Sequence, residues 1–153
     1  MLVARGIIEQ RQAILKIGFQ SFVPETYEVS PTQPHIELPV QEYRGLIDTG
    51  AQRSCLTRRT IAIESLVPHA KKPIQNVNDT HPHRLYWAHL GFFAERISDD
   101  GEEQGRTYFS LPEPVEVIDI ANNNWFDAII GMDILQRYEL RFEGDGSFYL
   151  QLA

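Results

Sequence analysis

The chain has 153 residues, enough for one domain (residues 1 to 153) with a substantial apolar core and no covalent staples. Its 14 Lys and Arg stand against 21 Asp and Glu, and a formal charge of −7 argues against nucleic acid as a partner, since that affinity rests on basic side chains. The single cysteine, Cys55, excludes an internal disulfide and a cysteine-rich zinc site.

The opening residues, MLVARGIIEQRQ, lack the apolar segment of a signal peptide. No window approaches the ~20 apolar residues of a membrane span. The expectation is a soluble cytoplasmic protein with no membrane partner.

Short apolar runs separated by scattered turn residues predict many short strands and an all-β fold. In chain order the expected strands are Ala13 to Phe19, Ile36 to Val40, Tyr43 to Ile47, Leu85 to Phe93, Arg106 to Leu111, Val115 to Ile120, Ala128 to Ile130 and Phe148 to Leu152. Turns are expected at Asn78-Asp79, across Ser98 to Gly105, and at Gly144-Asp145-Gly146, where Asp-Gly permits positive φ. One short helix is expected from Asp133, where DILQRYEL sets Ile134, Leu135 and Tyr138 on one side.

The stretch that asks for an explanation is LIDTGA, Leu46 to Ala51. An acidic residue at the end of an apolar strand is costly to desolvate and needs hydrogen bonds or a task. Asp-Thr-Gly alone would arise about 0.04 times by chance in a chain of this length, and about 0.006 times with two apolar residues before it. A second element, FDAIIGMDIL from Phe126 to Leu135, makes accident less plausible still.

LIDTGA and IIGMDIL, in this order, resemble the two ends of the retropepsin-like aspartic proteases, single-domain relatives of pepsin that include the retroviral enzymes. The resemblance spans Tyr43 to the C-terminus and implies a closed β-barrel of the acid-protease kind with one short C-terminal helix. It also implies an aspartic endopeptidase, a hydrolase with no cofactor or metal. Asp48 would be the catalytic carboxylate, Thr49 the hydroxyl that locks two active-site loops together, and Gly50 the residue that permits close backbone approach. Ala51 would sit beside substrate, while Ile129, Ile130 and Gly131 pack under the loop as scaffold. The separation from Asp48 to Gly131, 131 − 48 = 83 residues, exceeds that of the compact retroviral enzymes; the extra length is expected in Ala62 to Lys72 and in the acidic hairpin.

Two carboxylates that share one proton can deprotonate water and protonate the carbonyl. With one Asp-Thr-Gly per chain, the dyad requires a second copy, so the partners expected are a homodimer and a peptide or protein substrate. The flap is expected around Gln75 to Trp87, with Tyr86 and Trp87 as candidate substrate contacts; packing is the alternative role for both aromatics. In retroviral relatives the chain termini interleave into one sheet, a role SFYLQLA could fill.

Other residues carry plainer readings. His81, His83 and His89 suit an exposed loop better than a metal site, given Pro82 between the first two. Cys55 has no partner motif and reads as a small buried side chain. Asp133 suits a helix N-cap or an ion pair with Arg58 or Arg59. The runner-up for the whole chain is a catalytically inactive retropepsin-like module for dimerisation or peptide binding, and a third is a subunit whose sheet edges join a larger assembly.

Overall fold

The short apolar runs of the sequence fold as strands in one continuous sheet, with two brief helices, in a computed structural model that describes residues 1–21, 41–73 and 82–153. Strand β1 (Leu2–Glu9) and β2 (Gln12–Ser21) form a hairpin whose two turn residues, Gln10 and Arg11, take φ of 48° and 65°. Both residues lie in the left-handed region, the geometry that matches the right-handed twist of the flanking strands. Strand β3 (Tyr43–Ile47) lies antiparallel to β2 and parallel to β9 (Ala128–Ile130). Between β9 and β8 (Val115–Ile120) runs β4 (Cys55–Thr57), antiparallel to the first and parallel to the second.

The 16-residue β6 (Pro82–Ile97) ties the fold together. It pairs with β5 (Pro68–Pro73), β7 (Glu103–Ser110) and β8, and also with β1 and β2. The path β2-β3-β9-β4-β8-β6 returns to β2 through the β2–β6 pairing, so the all-β expectation is met by one sheet that closes on itself. Inside lie Leu15, Ile17, Phe19, Leu56, Leu90, Phe92, Ile130 and Phe148, each under 2% exposed. Burial of such side chains supplies the main drive to fold.

Several elements depart from expectation. Strand β1 was not anticipated; it is held by β2 on one side and by β11 (Ser147–Gln151) on the other. Helix α1 (Arg58–Ile63) is also additional, with the Thr57 hydroxyl accepting from Thr60 N at 3.3 Å at its N-cap. Helix α2 (Met132–Leu135) begins one residue before Asp133 and ends after a single turn. The residues expected to continue it enter β10 (Glu139–Phe142), because the Tyr138 ring packs edge-on against Phe92 and Phe109 and β10 pairs with β11. The turn at Gly144 to Gly146 forms as expected, with φ of 87° at Gly146. The acidic turn is tighter than expected, since β6 reaches Ile97 and β7 starts at Glu103.

Strand β11 is paired on both sides within the chain, to β1 and to β10. Leu2 N donates to Ala153 O at 2.7 Å, so the two ends of the chain meet in one sheet. The expected strand Ile36 to Val40, the Asn78-Asp79 turn and the tip of the expected flap lie outside the described residues. Strands β5 and β6 lead into that tip as an antiparallel pair running from Pro68↔Tyr86 to Pro73↔Pro82. Among the described residues no helix is long and apolar enough to cross a membrane.

Candidate active site

Period two along β3 separates its side chains into two sets. Tyr43, Gly45 and Ile47 are buried toward the core, while Arg44, Leu46 and Asp48 face the other way and are wholly or partly accessible. The pairing of the neighbouring strands extends this second face. Leu46 lies opposite Ile14 on β2 and beside Ile129 on β9; Ile129 is opposite Cys55, Cys55 beside Ile118, and Ile118 opposite Leu85. An apolar row thus crosses six strands on the face that carries Asp48. Its outer members are buried and its middle members Leu46, Ile129 and Cys55 are half-buried. The two isoleucines expected as scaffold face opposite ways: Ile130 is in the core, and Ile129 is half-buried on the face that carries Asp48.

The loop after β3 is held tightly. Asp48 N donates to Ile130 O at 3.0 Å, and Ala51 N donates to Asp48 O at 3.2 Å, which closes the turn. Gly50 N donates to Asp48 Oδ1 at 2.9 Å, a backbone bond that fixes the orientation of the carboxylate. A Cβ on Gly50 would stand 3.2 Å from that same oxygen, so glycine suits the close approach. Asp48 is half-buried, Thr49 and Gly50 are exposed, and Ala51 is half-buried.

A second layer fixes this loop to α2. Met132 N donates to Ala51 O at 2.8 Å and Asp133 N to Gln52 O at 3.2 Å. In return, Ser54 N and Ser54 Oγ donate to the Asp133 carboxylate at 3.0 and 2.8 Å, and Gly131 N donates to Ser54 Oγ at 3.0 Å. Asp133 is therefore neither the N-cap, which is Gly131, nor an ion-pair partner of the two arginines. Arg58 pairs with Asp119 and Arg59 with Asp127, each at 3.2 Å.

The two aromatic candidates part company on β6. Tyr86 is 6% exposed and belongs to the main core, a packing position. Trp87 lies on the Asp48 face and stacks on His69 of β5, with ring centroids 5.2 Å apart. His69 Nε2 is 2.9 Å from Glu116 Oε2, and Glu116 Oε1 accepts from Arg53 at 2.9 Å. This chain of contacts joins the β5–β6 pair to the loop that follows Asp48. It had no local sequence signal, because its four residues come from four separate segments.

Cys55 sits in the apolar row. Burial, and then the nearby carboxylates of Asp133, Asp48 and Asp119, push its thiol up to about 11. A cysteine nucleophile needs the opposite shift. Among the described residues no group of three or more His, Cys, Asp or Glu is arranged to hold a metal ion.

The all-β sheet that closes on itself thus carries Asp-Thr-Gly at the end of β3, with Ile-Ile-Gly on the parallel neighbour β9. No family model matches the chain, and no curated protein matches its sequence. Among solved structures it is similar to a retropepsin-like aspartic protease from Rickettsia conorii, with a TM-score of 0.53 and 9% identity over 98% of this chain and 91% of that one. At that identity the likeness is one of fold.

Proposed function

We propose that the chain is an aspartic endopeptidase that acts as a homodimer, with one Asp48 from each copy forming the catalytic pair. The observation that carries this reading is the position of Asp48, a half-buried carboxylate on a retropepsin-like sheet, beside an apolar row and bonded at Oδ1 by Gly50 N. The two carboxylates hold one proton between them. The ionised partner takes a proton from water as that water attacks the scissile carbonyl, and the protonated partner supplies a proton to the carbonyl oxygen.

An extended peptide suits the site, because main-chain hydrogen bonds give affinity and pockets for side chains give selectivity. Leu46, Ile129 and Cys55 offer an apolar floor, which favours apolar side chains next to the cut bond. Trp87 remains a candidate substrate contact, and Tyr86 does not. Thr49, exposed beside Asp48, is assigned the contact between the two loops.

The test is digestion of a mixed peptide library from acid to neutral pH, read by mass spectrometry, with Asp48→Asn alongside. Cuts made by the wild type alone support the reading. Equal cutting by both proteins, or none by either at concentrations where dimer is present, removes it and leaves the inactive binding module.

A further inference from the structure

We infer that the mouth of the closed sheet, between α1 and the start of β6, binds a small monocarboxylate with a short apolar tail. This mouth opens on the core face of β6 and β8, while Asp48 stands on the other face. It is therefore a second site, independent of the catalytic reading.

Period two sets Arg84, Tyr86 and Ala88 on one side of β6, and Val117 and Asp119 on one side of β8. In both strands this is the core side, since Tyr86, Ala88 and Val117 belong to the main core. Each strand thus turns a charged residue toward the core side at its end. Helix α1 adds Arg58 in its first turn, which has no acidic residue and where the dipole disfavours a cation. Local rules broken together at one place point to a function.

The charges there do not balance. Asp119 is 8% exposed; its Oδ1 accepts from Arg84 N at 2.9 Å and its Oδ2 from Arg58 Nε at 3.2 Å. Arg84 gives Asp119 only its backbone N–H, and its guanidinium has no acceptor among the described residues. Arg58 engages the carboxylate through Nε alone, which leaves its two terminal nitrogens to donate. Two guanidiniums against one carboxylate call for one more negative charge, and their planar forks match a carboxylate. The neighbouring charged groups are already engaged: Arg59 pairs with Asp127 at 3.2 Å, and Glu64 accepts from the Tyr43 hydroxyl at 2.5 Å.

The space beside these groups is apolar. A cavity of about 430 Å³ opens here, within the ~300–1,000 Å³ of small-molecule sites, which recur in the mouths of β-barrels. Its floor is Ile61, Leu66 and Tyr86, which are 7%, 7% and 6% exposed. Ser65 stands at the rim with φ of 53°. Ser65 N donates to Ala62 O at 3.2 Å and Leu66 N to Ile61 O at 3.1 Å, a helix ending whose left-handed residue is ordinarily glycine. Serine in that place brings a hydroxyl to the cavity. A dianion would exceed the surplus charge, and an anion without a tail would leave the apolar floor in water, so the ligand is a monocarboxylate with an apolar tail.

The experiment is titration with hexanoate, followed by the amide resonances of the labelled protein. Hexanoate should shift Leu66, Arg84 and Asp119 and leave Gly50 and Ala51 in place. Hexanamide, which lacks the charge, and acetate, which lacks the tail, should each bind at least about tenfold more weakly. Arg84→Gln keeps the backbone bond to Asp119 and should weaken hexanoate by about tenfold or more. Ser65→Gly should weaken it too, yet melt no lower than wild type, because glycine suits the left-handed position. Arg59→Gln, outside the cavity, should bind as wild type does. N-acetyl-leucine in place of hexanoate separates the two sources of such a group: tighter binding assigns the site to peptide C-termini, weaker binding to free acids. Three results would each overturn the assignment. One is no shift in the cavity at about 10 mM hexanoate, where a Kd of about 1 mM fills about nine-tenths of the sites. The others are equal binding of hexanamide, and Arg84→Gln binding like wild type.

Discussion

Replacing Gly131 with alanine tests whether the Asp48 loop is seated on the turn before α2. A Cβ there would lie 2.8 Å from Ala51 O, 2.8 Å from Arg53 C and 2.9 Å from Arg53 O. The first two contacts are about 0.7 Å inside the ~3.5 Å lower end of favourable separation. All three atoms are backbone, so no side-chain rotation relieves them. With φ of −97° at Gly131, alanine has no conformational penalty of its own, and the cost comes from contact alone. Overpacking of this kind costs about 1–3 kcal/mol. For a chain of this size that is a fall in Tm of roughly 2 to 12 °C. The strain falls on the residues just after Asp48, so cleavage should drop by about 100-fold, as for a displacement of ~1 Å. Circular dichroism melting and peptide cleavage measure the two effects, with Gly144→Ala as control, since nothing lies within 4 Å of a Cβ there. If Gly131→Ala melts together with Gly144→Ala, the close seating is wrong.

Ser54→Ala removes the acceptor of Gly131 N and a donor to Asp133, and should cost about 1–3 kcal/mol in urea unfolding. Ile130→Ala should cost about 2–5 kcal/mol, because the side chain is fully buried. Ile129→Ala, one residue earlier on the half-buried face that carries Asp48, should cost clearly less and, on the proposed protease reading, weaken cleavage next to large apolar residues, which kinetics on paired peptides would show. Alkylation of Cys55 by iodoacetamide at pH 8 should run about 100-fold slower in the folded chain than in urea, the ratio of thiolate fractions for pKa values of about 11 and 9.0. The same shift has a stability consequence. The folded pKa is above the unfolded one, so the Cys55 contribution is complete below about pH 9 and is lost as pH rises through about 11. Cys55→Ala should remove that part of the alkaline fall.

What the sequence disclosed was local. Asp-Thr-Gly and Ile-Ile-Gly each carry their meaning in three adjacent residues, and the strands leading to them follow from short apolar runs. Register was less legible. Neighbours on a strand face opposite ways, so Leu46 and Ile47, Ile129 and Ile130, and Tyr86 and Trp87 each read as one feature and fold as two. Strand β10 read as helix because Leu135 and Tyr138 continue a helical spacing from Ile134; what overrides it is the packing of Tyr138 against Phe92 and Phe109 and the pairing with β11. Strand β1 is defined by a partner at the far end of the chain, which no local window contains. The link from Trp87 through His69 and Glu116 to Arg53 is legible only once the strands are paired.

The pairing of β1 with β11 also sets a timetable for synthesis. The β1–β2 hairpin is complete at Ser21, yet the strand that covers its other edge ends at Gln151, 151 − 21 = 130 residues later. At ~5–20 residues per second, roughly 6 to 26 s pass before β11 exists. During that interval β1 offers an open row of backbone donors and acceptors to any extended chain nearby. Loss of the last strand would make that exposure permanent, so a nascent chain stalled before Ser147 should be a preferred client of chaperones and a seed for aggregation.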